Sequence, residues 1–286
     1  MRLTNRQGLP EVVVRLVSGP DRPHEMFRIS VTELIKPPQM RALEMAHEDE
    51  IVEDVADRLW AAYGTMMHLA IERIGGDNVL QEERLEADFD GVTVHGTPDL
   101  YEQDGVLTDF KYTSVWATRD GIKADWEAQV NCYAWLLWDA GFVVREANVI
   151  AMYRDWSKRE RSRYPDYPDQ VQKLPVRLWP VERQEDYIRE RVRLHMAAPG
   201  LCTPADRWER PTQWAVAKRG QERARRLLAT EDDAKLWAER NTPPNKQTAR
   251  WFEISERPGE SVRCAEYCRV RAFCQQRQAE IEACPV

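Results

Sequence analysis

Between residues 48 and 113 the spacing of apolar residues changes from a helical period to a strand period. That switch restricts the chain to folds that pack helices on a sheet. Ile51, Val55, Leu59, Ala62, Met66 and Leu69 recur at three and four residues and predict a helix over 48–74, ended by Gly75-Gly76. Residues 79–89 and 92–101 then alternate and carry β-branched side chains. Asp104-Gly105 marks a turn, and Val106 to Thr113 reads as another strand. A second helix is expected from about 122 to 139, with Val130, Tyr133, Ala134 and Leu137 on one stripe. A strong strand follows at 147–153, then a polar, Pro-containing loop at 157–173, a strand at 176–181 and a helix at 184–196. The order helix, three strands, helix, strand, strand, helix predicts a mixed α/β core.

The flanks differ from this core. Pro10, Gly19, Pro20 and Pro23 predict an irregular arm over 1–29, and Ser30 to Ile35 offers a helix start stopped by Pro37-Pro38. Pro199, Gly200 and Pro204 mark a boundary. Beyond it lie a basic stretch from Lys218 to Arg226, a short helix near 231–240, and a tail with Cys264, Cys268, Cys274 and Cys284. The expected organisation is an arm (1–29), a core (30–196) and a C-terminal lobe (197–286). At 286 residues with 43% hydrophobic content, the chain can bury a sizeable core. No apolar run approaches the roughly 20 residues of a membrane span, and no basic segment precedes an apolar one as in a secretory signal, so a cytoplasmic protein with no membrane partner is expected. The net charge of −7 gives no overall attraction to nucleic acid, so any such binding must come from local basic surface or metal ions.

The most informative segment is Gly96-Thr97-Pro98-Asp99, followed ten residues on by Asp109-Phe110-Lys111. Asp109 and Lys111 are two apart on a strand and leave the same face. If Gln103-Asp104-Gly105 forms a three-residue hairpin loop with Gly in the left-handed position, residue 102 pairs with 106 and Asp99 lies opposite Asp109. Two carboxylates directly across a strand pair repel. The arrangement makes sense around a divalent cation, and oxygen ligands suit Mg²⁺ or Mn²⁺. Lys111 on the same face could position the attacking water and offset phosphate charge. Taken alone, an Asp-x-Lys triplet is more often scattered charge on an exposed hairpin than a catalytic pair.

Two helices offer converging positions. His68 and Glu72 are four apart, and Gly64 on the same stripe would let another backbone approach. Imidazole is a good Mn²⁺ ligand, although a lone helical His also serves as a cap or surface residue. Gln129 and Tyr133 are likewise four apart and could grip a phosphate or orient the lysine; a core Tyr beside a solvated Gln is the plainer alternative.

In this order His68, Gly-Thr-Pro-Asp99, Asp109-Phe-Lys111 and Gln129-x-x-x-Tyr133 resemble the PD-(D/E)XK nuclease superfamily, more narrowly its RecB-like branch, which includes Cas4, the AddB nuclease domain and many phage exonucleases. The resemblance spans roughly residues 30–196. It implies a restriction-endonuclease-like core, a central mixed sheet flanked by helices. It implies metal ligation by His68, Asp99, Asp109 and the carbonyl of Tyr112, catalysis with Lys111, and positioning by Gln129 and Tyr133. The implied activity is metal-dependent hydrolysis of DNA, most simply as an exonuclease in recombination, replication or processing. A phage origin, an oligomer or a recombination partner protein would be in keeping. An endonuclease, an RNA nuclease or a binding module with a weakened centre would share these residues.

The tail reads C-x3-C-x5-C at Cys264, Cys268 and Cys274, and thiolates so spaced are commonly metal ligands. Cas4 and AddB relatives close a [4Fe–4S] cluster with a similar triplet, but their fourth cysteine lies upstream of the helical His, where this chain has Ile35-Lys36-Pro37-Pro38. Cys202, Cys284 and Cys132 are available; Cys202, just past a Gly at the opening of the lobe, is favoured, within a cysteine-containing helical lobe. A zinc ion accepts the same four thiolates. Arg154, Lys158, Arg159, Arg161 and Arg163, interleaved with Trp156 and Tyr164, suit a single strand of DNA. A second basic cluster, Lys218, Arg219, Arg223, Arg225 and Arg226, lies near Trp208 and Trp214 in sequence.

Overall fold

A computed structural model describes residues 1–18, 24–74, 79–81, 83–244 and 251–283. The chain divides into two compact units, Met1–Gly200 and Leu201–Val286.

The first unit runs β1 (Arg2–Thr4), α1 (Glu11–Ser18), β2 (Arg28–Ser30), α2 (Val31–Leu34), α3 (Pro38–Ala46), β3 (Val52–Asp54), α4 (Leu59–Ile74) and β4 (Val79–Gln81). It continues with β5 (Leu85–Phe89), β6 (Val92–Gly96), β7 (Leu100–Glu102), β8 (Val106–Thr113), α5 (Ala124–Asp139), β9 (Glu146–Tyr153), α6 (Lys158–Arg163), β10 (Val171–Pro175) and α7 (Val181–Met196). The main sheet has the order β10-β9-β8-β7-β4 and a smaller one the order β2-β6-β5. In the main sheet β8 and β9 are parallel and the other pairs antiparallel, which is the mixed sheet expected.

Helix α5 joins the parallel pair. Every residue from Ala128 to Leu137 on it is buried, because the helix is packed around its whole circumference. Its Val130, Leu136 and Leu137 share a core with Ile29, Leu34, Val94, Leu107, Val149 and Ile188. Each such side chain contributes roughly 1.5–3 kcal/mol when removed from water. Asn131 is wholly buried there, and its amide is fully engaged. It donates to the carbonyls of Glu127 (2.8 Å) and Arg177 (3.0 Å), and accepts from Trp179 N (2.8 Å) and Gln184 Nε2 (3.1 Å), tying α5 to the start of α7. At the other end of α7, Arg191 Nε and His195 Nε2 both donate to the carbonyl of Leu34, at 2.8 and 3.0 Å. Burial pushes the His195 imidazole down to about 4.

Several local expectations are corrected. The arm is not irregular: β1 pairs in parallel with β3, and α1 is a helix whose first turn hangs on Pro10, with Val13 N donating to the Pro10 carbonyl at 2.8 Å. Proline suits the entry to a helix, where its missing N–H costs nothing. Gly19, Pro20, Pro23, Gly75 and Gly76 lie outside the described residues. The helix expected from 48 begins at Leu59. Asp54 accepts from Thr4 Oγ1 (2.7 Å), Arg6 N (3.1 Å) and Ala56 N (3.2 Å), which holds β3 and caps the following turn. Periodicity cannot sense such a cap. Residues 157–173 contain α6, capped by Ser157, and the start of β10; the strand expected at 176–181 therefore comes earlier, over Val171–Pro175.

The second unit contains β11 (Glu209–Arg210), β12 (Gln213–Lys218), β13 (Ala224–Leu228), α8 (Glu231–Asn241), β14 (Phe252–Arg257), β15 (Glu260–Ser261) and α9 (Gln275–Ala283). The lobe is thus not simply helical. An antiparallel sheet of order β13-β12-β14 forms its centre, and α8 packs on it through buried Ala234 and the contact of Trp237 with Phe252, ring centroids 5.4 Å apart. The edge strand β13 carries Arg225 and Arg226 exposed. Pairing with β12, rather than apolar alternation, makes it a strand.

Candidate active site

The hairpin β7–β8 has the predicted register. Leu100 pairs with Thr108 and Tyr101 with Leu107, which sets Asp99 across from Asp109. Gly105, with φ +92°, takes the left-handed position of the loop. Both carboxylates are buried, and each has a different set of partners. Asp99 Oδ2 accepts from Phe110 N at 2.7 Å, while its Oδ1 lies 3.2 Å from His68 Nδ1 on α4. Lys111 Nζ donates to Asp109 Oδ1 at 3.1 Å. It also stands 2.9 Å from Asp109 Oδ2 without making a directed bond, so that this buried oxygen has no hydrogen-bond donor among the described residues. Burial raises the Asp109 carboxyl, Lys111 opposes that rise and Asp99 adds to it.

Helix α5 positions the lysine. Lys111 Nζ donates to Gln129 Oε1 at 2.9 Å, and Gln129 Nε2 donates to Tyr133 OH at 3.0 Å. Burial first, and then the nearby Asp109, raise the Tyr133 phenol, so it stays neutral. The Tyr133 ring reaches this position because residue 96 has no side chain. A Cβ on Gly96 would stand 2.6 Å from Tyr133 Cε1. The glycine of Gly-Thr-Pro-Asp99 is thus needed for a close approach of helix to strand, three residues before the acid it accompanies. The structure therefore joins Asp109, Lys111, Gln129 and Tyr133 into one chain of contacts, with Asp99 and His68 paired beside it.

A family model described as the PD-(D/E)XK nuclease superfamily matches residues 29–275. The chain belongs to the PD-(D/E)XK nuclease superfamily. A solved structure titled "Crystal structure of SSO0001" is similar at a TM-score of 0.46 and 16% identity, over 66% of this chain and 86% of that one. No curated protein matches in sequence. Membership implies nuclease hydrolase chemistry, and PD-(D/E)XK nucleases generally use Mg²⁺ or Mn²⁺.

The donors suit such an ion in kind: two facing carboxylates, an imidazole, and a buried carboxylate oxygen that lacks a hydrogen bond. Among the described residues, no three His, Cys, Asp or Glu side chains converge tightly enough to hold a metal, and the PD-(D/E)XK centre closes on itself through the His68–Asp99 and Lys111–Asp109 pairs. Tyr112 follows Lys111 on β8.

The cysteines of this PD-(D/E)XK chain lie in the second unit, apart from Cys132, which is wholly buried on α5 and whose thiol burial pushes up to about 12. Cys264 sits in the π-helical turn Arg263–Tyr267, Cys268 ends that turn, and Cys274 immediately precedes α9. Cys202 is held against α9 by a reciprocal pair of bonds: its N–H donates to Gln276 Oε1 and its carbonyl accepts from Gln276 Nε2, both at 2.9 Å. Its thiol is pushed up to about 12, first by burial, then by Asp206 and by Cys264, Cys274 and Cys268. The four thiols thus share one neighbourhood. Cys284 lies outside the described residues.

Arg154, Lys158, Arg159, Arg161 and Arg163 are all exposed, but they lie on and before a short helix rather than in a loop. Arg161 pairs with Asp169 at 3.2 Å, and Arg163 lies over the Tyr164 ring at 5.4 Å. Trp156 is structural: its Nε1 donates to the Pro168 carbonyl at 2.9 Å. Of the second basic cluster, Arg223, Arg225 and Arg226 line a cavity of about 500 Å³ together with Arg257. Spacing alone did not single out Trp60 on α4. It is exposed, it lies four residues before Gly64 and eight before His68, and Arg154 lies over its ring at 4.6 Å. An aromatic residue on the helical stripe of the His was the signal that could have found it.

Proposed function

We propose that the chain is a divalent-cation-dependent DNA exonuclease of the RecB/Cas4-like branch, acting on strand ends in recombination, replication or DNA processing. One observation carries this reading. Asp109 is buried opposite Asp99 with an oxygen left without a hydrogen bond, while Gln129 and Tyr133 hold Lys111 against it.

His68, Asp99, Asp109 and the carbonyl of Tyr112 would hold the ion. A bound Mg²⁺ or Mn²⁺ supplies a water of lowered pKa and countercharge for the phosphate. The chain's own residues do the rest. Lys111 presents its ammonium where negative charge builds on the scissile phosphate, and charge stabilisation of this kind is worth most in a site that excludes water. Gln129 fixes the lysine's direction, and Tyr133 fixes the amide of Gln129. The exposed Arg154, Lys158, Arg159, Arg161 and Arg163 hold the strand by its phosphates, which gives this acidic chain a local attraction to DNA.

Cys202, Cys264, Cys268 and Cys274 are assigned to a [4Fe–4S] cluster or a zinc ion. Support comes from the rise of the Cys202 thiol, caused first by burial and then by Asp206 and the other three cysteines, which a cationic ligand would oppose, and from the Gln276 clamp on Cys202.

The test is incubation with end-labelled linear and circular DNA, and with RNA of the same sequence, in Mg²⁺, Mn²⁺ or chelator. Mononucleotide release from linear DNA alone is the expected result. Cleavage of circles makes the enzyme an endonuclease, and preference for RNA changes the substrate. A visible absorption spectrum separates iron–sulfur from zinc.

A further inference from the structure

On α4, the helix that carries His68, two large rings remain in water. Trp60 is 55% exposed and Tyr63 44% exposed. Their centroids are 5.7 Å apart, and Tyr63 in turn lies 6.3 Å from the ring of Tyr112, the residue after Lys111 on β8. The three rings form a tilted series that begins beside the nuclease centre. Arg154 covers Trp60 from the end of β9, its guanidinium carbon 4.6 Å from the ring centroid, and makes no ion pair among the described residues. Trp60, Gly64 and His68 follow one another at four-residue spacing. Beyond its own helix, nothing among the described residues lies within 4 Å of where a Cβ on Gly64 would stand. A glycine inside a helix costs about 0.5–1 kcal/mol relative to alanine. Here no contact among the described residues requires it, and it leaves a shallow opening between the exposed indole and the imidazole.

Large rings left exposed, close to one another and roofed by an exposed guanidinium, offer flat apolar faces together with a cation. Unpaired bases use this combination: each base has a π-face to stack, and each nucleotide a phosphate to neutralise. A duplex offers neither stacking face. We infer that Trp60, Tyr63 and Tyr112 form a stacking platform for the bases of a single strand, with Arg154 gripping that strand, and that the platform delivers unpaired nucleotides to the centre. This rests on the nuclease reading above and specifies its substrate as single-stranded nucleic acid.

The test measures binding in chelator, so that the strand stays intact. Wild-type protein should bind a short oligothymidylate more tightly than a strand of equal length with abasic positions. Trp60→Ala combined with Tyr63→Ala should weaken binding of the oligothymidylate about tenfold to a hundredfold, while leaving the abasic strand nearly as tightly held. Trp60→Phe, which keeps a ring, should restore most of the affinity. Equal binding of the two strands by wild-type protein overturns the platform, and so does unchanged affinity of the double variant. The wild-type comparison needs no substitution and stands even if the double variant misfolds. Metal-dependent cleavage of an activated phosphodiester without a base, by the wild-type protein, reads the centre separately. Its absence overturns the nuclease reading, whereas its presence with equal strand binding overturns the platform alone.

Discussion

The centre in the first unit and the cysteine neighbourhood in the second are built in opposite ways. The first is made from regular elements: a hairpin with one register, and helices whose turns set His68, Gln129 and Tyr133. Its buried acids already have partners inside the chain, Asp109 in the Lys111 ammonium and Asp99 in the Phe110 amide and the His68 ring. The second lies on a π-helical turn, the end of that turn, the residue before α9 and the segment at Cys202, where burial first and then Asp206 and the other three cysteines raise the Cys202 thiol. A site whose acids already have partners inside the chain can stand without an ion. If the four cysteines take the proposed ion or cluster, metal binding and folding would be one process in the second unit and separate in the first.

The largest effect tests the first half of that contrast. Asp109→Asn and Lys111→Ala should each lower cleavage by about 10²–10³-fold or more, since one removes a proposed ligand of the ion and the other the ammonium proposed to face the phosphate. The melting temperature of the first unit should change little for Asp109→Asn, because burial already disfavours the ionised carboxylate. Collapse of that unit, rather than loss of rate alone, would show that its charges hold the fold as well as the ion. The next effect tests the second half. Stripping metal with a strong chelator, or substituting Cys268→Ser, should expose residues 201–286 to proteolysis while 1–200 stay protected. Structural metal sites are worth about 10 kcal/mol or more in small domains. Equal protection of both units after complete stripping removes the contrast.

The same difference decides what was legible in the sequence. The hairpin register followed from one turn and a two-residue period, so the Asp99–Asp109 pairing was available before any coordinates. The shared face of Gln129 and Tyr133 followed from helical spacing, and their roles from the family resemblance. The close approach of Tyr133 to Gly96 did not, because it joins residues of two elements that only the packed fold brings together. Asp54 hid the true start of α4, since a side-chain cap interrupts a helix without disturbing its apolar pattern. In the second unit the arginines of β13 hid an edge strand whose identity comes from backbone pairing with β12. The C-x3-C-x5-C pattern was visible as chemistry, but the bonds that bring Cys202 to it run through the amide of Gln276, which no cysteine spacing reveals.

A smaller effect comes from pH and belongs to the first unit. His195 is buried neutral against the Leu34 carbonyl, its pKa lowered from 6.5 to about 4. The unfolded chain therefore binds more protons than the folded one between these values, and stability rises with pH across that window. The contribution is complete above about 6.5 and is lost as pH falls toward 4, by roughly 2 kcal/mol after allowance for screening by solvent. Glu33, lowered from 4.5 to about 2 because bonds from His24 and Ser30 outweigh the upward push of burial, extends the loss at lower pH. Melting of the first unit at pH 7 and at pH 4.5 should differ by several degrees, and His195→Gln should remove the part that falls between 6.5 and 4. A flat profile across that range would mean that the imidazole does not clamp α7 to α2.

The smallest effect is the most discriminating, because stability and function should move in opposite directions. Gly64 lies within α4 in open space, so Gly64→Ala adds a methyl that meets nothing beyond its own helix among the described residues. It should stabilise the first unit by about 0.5–1 kcal/mol through helix propensity, visible as a slightly higher melting temperature. If the opening between Trp60 and His68 receives a strand, the same methyl should weaken single-strand binding by a few-fold and slow cleavage to match. A gain in both properties would mean that the glycine serves no approach to the centre. A gain in stability with a loss of binding would show that the first unit leaves this helix position empty for its substrate.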